Sequence, residues 1–246
     1  MALTVFVAGA TGVIGRSLLR LLRDAGHTVV GMTRTPERAA ELEALGASAA
    51  IADAFDEVAL EKAVAAAAPD VLVHQLTDLS TGAGAGVREE GVRRNARIRR
   101  EGTANLVRAA RISGVRRFVA QSIGWAYAPQ TPPFLETDPL DVAATGTRAI
   151  SVTGGVIPLE SAVLDQDAFE GLVLRYGQLY GPGTWSAEPS GTAPLHVEAA
   201  AYAAFLAVDR GRSGVYNIAE PGGALVIDKA LGELGWNPDF RLAGQT

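Results

Sequence analysis

Cysteine is absent from this chain of 246 residues, and lysine occurs only as Lys62 and Lys229. The first absence excludes disulfides, thiolate catalysis and cysteine-ligated metal. The histidines, His27, His74 and His196, lie far apart in sequence and give no ligand spacing, so no metal is expected. Long apolar runs free of charge are missing too, and the amino terminus enters an apolar stretch directly instead of presenting a basic region and a cleavage site. The expectation is a soluble, cytoplasmic protein with no membrane partner. Positive charge is in deficit: the net charge of −5 speaks against nucleic acid as a partner. With 48% hydrophobic residues the chain can bury one good core, and no linker or internal repeat divides it, so residues 1–246 read as a single domain.

The stretch Val5-Phe-Val-Ala-Gly-Ala-Thr-Gly-Val-Ile-Gly15 joins an apolar run to a glycine turn that opens a helix. Gly9 allows the tight turn, Gly12 allows close approach of a dinucleotide backbone, and Gly15 lets the helix lie against the strand. Freed amides at the helix start would face a pyrophosphate. Ile14, Leu18, Leu21 and Leu22 fall on one helix face, which lifts the pattern above an ordinary tight turn.

Beyond it, β-rich apolar runs alternate with helical patterns, the signature of an α/β fold with a doubly wound, Rossmann-like parallel sheet. Strands are predicted at 3–8, 28–32, 47–51, 71–74, 117–121, 171–175 and 215–218, and helices near 12–24, 36–45, 57–67, 91–113, 158–165 and 197–209. Two stretches rich in glycine, alanine or proline, 81–86 and 128–155, read as loops at strand ends, where such sheets bind ligands.

The second strand bears on coenzyme choice. It runs into Gly31-Met-Thr-Arg-Thr35 with no carboxylate to hold both ribose hydroxyls of NAD. Arg34 is placed either to meet a 2′-phosphate in a bidentate pair or merely to neutralise the loop; the first favours NADP, and NAD stays admissible. Asp53 suits either the adenine amino group or a loop cap. The expected coenzyme contacts are Gly9, Thr11, Gly12, Val13, Ile14, Gly15, Arg34, Asp53, Ala54, Gln75, Leu76, Arg175 and Tyr176.

The segments GATGVIG (9–15), VLVHQLTDL (71–79), EGTANLVRAAR (101–111), RRFVAQS (116–122), LRYGQLYGPG (174–183), HVEAAAYA (196–203) and VYNIAE (215–220) occur in an order that resembles the extended and atypical short-chain dehydrogenases/reductases. The likeness is strongest to the NAD(P)-dependent epimerase/dehydratase group. It implies an NAD(P)-dependent oxidoreductase or epimerase/dehydratase-like enzyme acting on a small-molecule substrate. The alternatives are a non-redox isomerase, lyase or cyclase on the same fold, or a silent NADP-binding sensor. Members of that group move a proton with a tyrosine followed four residues later by a lysine. None of Tyr127, Tyr176, Tyr180, Tyr202 and Tyr216 is followed by lysine at that spacing. Aligning Glu160 with the group's downstream acid puts Val152 and Val156 at the tyrosine and lysine positions. Ser122 and Tyr127 are then the candidate catalytic hydroxyls, with a turn cap and aromatic packing as their structural alternatives.

The resemblance also implies a reduced substrate cap, because short segments replace its usual insertions. The substrate site should be small or open, lined by residues 78–90 and 125–157. Between Arg88 and Arg117 lie ten arginines. They read first as a solvated helix face, and by resemblance as a homodimer surface, with Arg93, Arg94 and Arg97 able to meet an anion.

Overall fold

The computed structural model describes residues 1–78 and 89–243. The chain runs β1 (Thr4–Ala8), α1 (Val13–Asp24), β2 (Thr28–Thr33), α2 (Ala39–Ala44), β3 (Ser48–Ile51), α3 (Glu57–Ala67) and β4 (Val71–His74). After α4 (Glu89–Arg97), a π-helical turn (Ile98–Gly102) leads into α5 (Thr103–Ile112) and β5 (Arg117–Ile123). Helix α6 (Gly146–Ser151) continues through a second π turn (Val152–Val156) into α7 (Ile157–Leu164), followed by β6 (Glu170–Tyr176). The remainder is β7 (Gln178–Tyr180), β8 (Pro194–His196), α8 (Val197–Leu206), β9 (Gly214–Ile218) and a last π turn (Ala230–Leu234).

Seven parallel strands form one sheet in the order β3-β2-β1-β4-β5-β6-β9. The order reverses between β1 and β4, which opens a crevice at their carboxyl ends. Both faces are covered. Phe6, Leu72 and Phe118 pack under Leu60, Val64, Leu106 and Leu159 of α3, α5 and α7. On the other face Val5, Val7, Leu174 and Tyr216 meet Leu18 and Leu22 of α1 and the small residues of α8. The predicted strands and the doubly wound class match the structure.

Two differences stand out. The predicted loop at 128–155 ends early, because helix begins at Gly146. Gly154, Gly155 and Pro158 mimic a loop in sequence, yet the π turn absorbs the missing proline donor, and Gly155 lets this helix close on α4. A Cβ at Gly155 would lie 3.0 Å from the Ala96 Cα. The short parallel pair β7–β8 carries no strong period and went unpredicted. The predicted loop at 81–86, and Arg88, lie outside the described residues.

Candidate active site

The glycine turn forms as its spacing requires. Gly9 sits at φ +90°, where a methyl would meet the Gln75 backbone at 2.6 Å, and its carbonyl accepts the Gly12 N–H at 3.0 Å. A methyl at Gly15 would press into the carbonyls of Gly9 and Ala10. No side chain caps α1, so its first-turn amides at Val13, Ile14 and Gly15 keep their donors for a ligand. Val13 is exposed there and touches the turn at Gly183. This is a cradle that fits a dinucleotide diphosphate: no β-carbons on the approach and a helix start pointing at it.

At the far end of β2, Arg34 is exposed. Arg38, which the sequence reading passed over, reaches back to donate to the Thr11 carbonyl at 3.1 Å while Glu41 holds its Nε at 3.1 Å. Its signal was available: a second arginine one turn beyond Arg34. Asp53 Oδ1 accepts the Phe55 N–H at 2.9 Å, a loop cap, and the Ala54 carbonyl accepts from Asn105 Nδ2 at 2.9 Å. Gln75 is buried and its Nε2 donates to the Tyr176 hydroxyl at 3.3 Å, leaving Oε1 sealed without a partner among the described residues. Tyr176 donates in turn to the Ala200 carbonyl of α8 at 3.3 Å, and burial pushes its pKa up.

Strand register lines up a polar row on the α5–α7 face. Ser122 of β5 pairs with Arg175 of β6, and Arg175 with Asn217 of β9. Over this row stands Glu160 of α7, 5% exposed. Its Oε1 accepts from Ser122 Oγ at 2.6 Å and from Arg175 Nε at 3.0 Å, and its Oε2 from Arg175 Nη2 at 2.7 Å. Burial alone would lower the Arg175 pKa; the bonds and charge of Glu160 outweigh it and the net shift is upward. Tyr127 donates to Asn217 Oδ1 at 2.6 Å, stacks on Phe134 and lies under the Arg175 guanidinium, 4.7 Å from its ring centre. Burial raises its pKa as well. Thus the hydroxyls of Ser122 and Tyr127 both spend their protons inside the protein.

His74, the last residue of β4, is sealed. Leu76 N–H donates to its Nδ1 at 3.2 Å, so Nε2 carries the proton toward Thr103 Oγ1 at 2.9 Å. Burial, helped by the charge of Arg99, holds its pKa near 3. Arg99 itself, in the first π turn and 5% exposed, is pulled by burial to about 10 against the pull of Glu160. Sequence reading filed Arg99 with a solvated face. Its signal was its place on the buried stripe Ala96, Arg99, Thr103, Leu106.

Two hollows lie near these elements. One of about 230 Å³ opens past the ends of β5 and β6, between Trp125, Tyr127, Phe134, Arg148, Gln178 and Ala193. The other, about 480 Å³, runs between α4 and α6 and is lined by Arg93, Arg97, Arg100 and Thr153, away from the crevice. Among the described residues no helix is long and apolar enough to cross a membrane.

Comparison with known proteins accords with this geometry. The profile of the NAD dependent epimerase/dehydratase family matches residues 5–219. A Streptomyces protein named 3-diazoavenalumate denitrifying reductase is 46% identical over 217 residues, covering 83% of this chain and 68% of its own length. An uncharacterised sugar epimerase of Bacillus subtilis is 33% identical over 119 residues, covering 48% of this chain and 51% of its own. Among solved structures, the UDP-glucose 4-epimerase of Thermotoga maritima with UDP-glucose superposes with a TM-score of 0.75 at 19% identity, covering 97% of this chain and 94% of that one. That of Thermus thermophilus with NAD gives 0.74 at 20% identity, covering 97% and 95%. These two show a shared fold. From the profile and the Streptomyces relative together, the chain belongs to the NAD dependent epimerase/dehydratase family.

Proposed function

We propose that this chain is an NADPH-dependent reductase whose substrate takes up hydride without a proton delivered to oxygen, and that a diazo compound is that substrate class. The observation that carries this reading is the state of the hydroxyls: Ser122 is held by Glu160 and Tyr127 by Asn217, while Val152 and Val156 are buried against Ile123 and Ala126 with nothing to donate. A carbonyl reductase needs such a donor. The Streptomyces relative is named for denitrifying a diazo compound, and hydride reduction of such a compound in its cationic diazonium form needs no donor. In a reduction of that class, R–N₂⁺ accepts hydride at the terminal nitrogen, giving R–N=N–H; the hydrogen then passes to carbon as N₂ leaves, giving R–H. No proton is drawn from the protein.

Bound NADPH would supply the hydride. Its diphosphate fits the first-turn amides of α1, and Arg34, with Arg38 behind it, fits a 2′-phosphate better than a bare ribose. Asp53, Ala54, Gln75 and Leu76 line the way from adenine to the sheet centre, and Arg175 and Tyr176 brace the far end. The hollow past β5 and β6 is the substrate pocket: Trp125, Tyr127 and Phe134 give it aromatic walls and keep water from the reactive centre. Ser122 and Tyr127 position this wall. The arginine-lined hollow between α4 and α6 is offered as the surface for a second copy, which sedimentation would test.

The deciding experiment is turnover of a carboxylated benzenediazonium ion with NADPH deuterated at C4. Deuterium in the benzoate product, with one N₂ per coenzyme oxidised, is the expected result. Coenzyme oxidation only with ketones or aldehydes, and none with the diazonium, would overturn the reading.

A further inference from the structure

A second buried guanidinium, that of Arg99, lies in the first π turn. Arg99 sits one turn before Thr103, with its stem against the helix carrying residues 152–156: a Cβ on Gly155 would lie 3.5 Å from Arg99 Cδ. Thr103, one turn on, bonds His74 at the end of β4, and the Arg99 charge acts on both His74 and Glu160, so its head lies near the end of β4 and the polar row. Both oxygens of Glu160 are already taken by Ser122 and Arg175. No described residue accepts a hydrogen bond from Arg99, and its nitrogens are not among the described side-chain atoms that are both sealed and unpaired. Among the described residues, then, the head keeps an opening to solvent and meets no protein acceptor.

A guanidinium at 5% exposure, with no acceptor among the described residues and only a narrow opening to solvent, persists best where a ligand completes it. Location says which ligand. β4 forms one wall of the switch point, so the molecule passing Arg99 is the half of a dinucleotide beyond its diphosphate. Vicinal hydroxyls have the lone pairs to accept from a guanidinium's N–H donors, and the neighbouring turn offers only Val152 and Val156.

We propose that Arg99 binds the hydroxyl pair of the nicotinamide-side ribose and supplies the fixed cation at the hydride-transfer end of the site. The inference rests on the coenzyme reading above. As a binding residue for the coenzyme it sets where nicotinamide C4 lies relative to the aromatic pocket.

The test is a set of binding isotherms on the whole protein with three probes. NADPH carries the distal ribose; 2′,5′-ADP and 2′-phosphoadenosine 5′-diphosphate lack it, and the last retains both bridging phosphates. Arg99→Gln should weaken NADPH about tenfold or more while leaving the two truncated probes within about twofold, and Arg99→Lys should recover most of the loss. Equal weakening of all three, weakening of the diphosphate probe, or unchanged NADPH affinity in Arg99→Gln would overturn the assignment. Wild-type protein that binds none of the probes would sink the coenzyme reading and this one with it. Unchanged affinity in the variant sinks this one alone.

Discussion

Replacing Glu160 by glutamine keeps the shape of the side chain and removes its charge, so it isolates what this carboxylate does. Three hydrogen bonds end on its two oxygens, from Ser122 and from both ends of the Arg175 fork, and both residues of the ion pair are about 95% buried. In Glu160→Gln one oxygen becomes an NH₂ that faces the donors of Arg175 instead of accepting them. Arg175 is then left desolvated without a counter-ion, and Arg99 loses the anion it leans on. Breaking one side of a buried pair costs about 3–5 kcal/mol. For a chain of this size each kcal/mol moves Tm by roughly 2–4 °C, so a fall of about 6–20 °C is expected. Urea unfolding followed by far-UV circular dichroism gives the free energy directly. A second variant separates charge from shape: Glu160→Met combined with Arg175→Met removes the pair together and should be at least about 2 kcal/mol more stable than the sum of its singles. A loss under about 1 kcal/mol in Glu160→Gln, or strict additivity in the double variant, would refute the reasoning.

His74 gives a pH prediction. Its folded pKa, held near 3 by burial, lies below that of the unfolded chain, so the unfolded state binds the extra proton between pH 3 and 6.5. Stability from this residue is complete above 6.5 and falls with pH at up to about 1.4 kcal/mol per unit; the slope in that window should flatten in His74→Gln. Gly15→Ala forces a methyl into two carbonyls and should abolish NADPH binding with a loss on the order of 1–3 kcal/mol, whereas Gly26→Ala, at φ +80° in open space, should cost only about 1–2 kcal/mol and leave binding alone. Arg34→Ala should weaken NADPH by about tenfold with NADH unchanged; equal weakening of both would argue against a 2′-phosphate contact. Ser122→Ala and Tyr127→Phe should retain hydride transfer to a diazonium ion within about tenfold, and a loss beyond a thousandfold in single-turnover rate would restore them as proton donors.

The sheet was legible because buried parallel strands are written as apolar runs with no alternation: Val71 to His74 and Arg117 to Gln121 stand out on composition alone. The glycine turn was legible because steric need maps onto residue type. The buried charges stayed hidden because charge in a sequence reads as surface. Arg99 and Glu160 are as buried as leucines, and only their helical phase, on stripes with Ala96, Thr103 and Val163, betrays it. Helix α6 and the π turn after it were hidden by a packing device, since Gly154 and Gly155 look like a loop until Ala96 is found against Gly155. For Arg38 only the spacing from Arg34 was on view; its target, the Thr11 main chain, is encoded by no pattern of side chains.

The row Ser122, Arg175, Asn217 runs across three strands brought together from distant parts of the chain. A slip of one residue in any of them would turn its member of the row to the opposite side, thrusting a guanidinium or an amide into the oily layer beneath α1 and α8. Wrong pairings are thereby penalised at the very place where the chemistry is built. Surrounding loops are free to drift toward new substrates, because the alignment of the floor beneath them is policed by its own misfits.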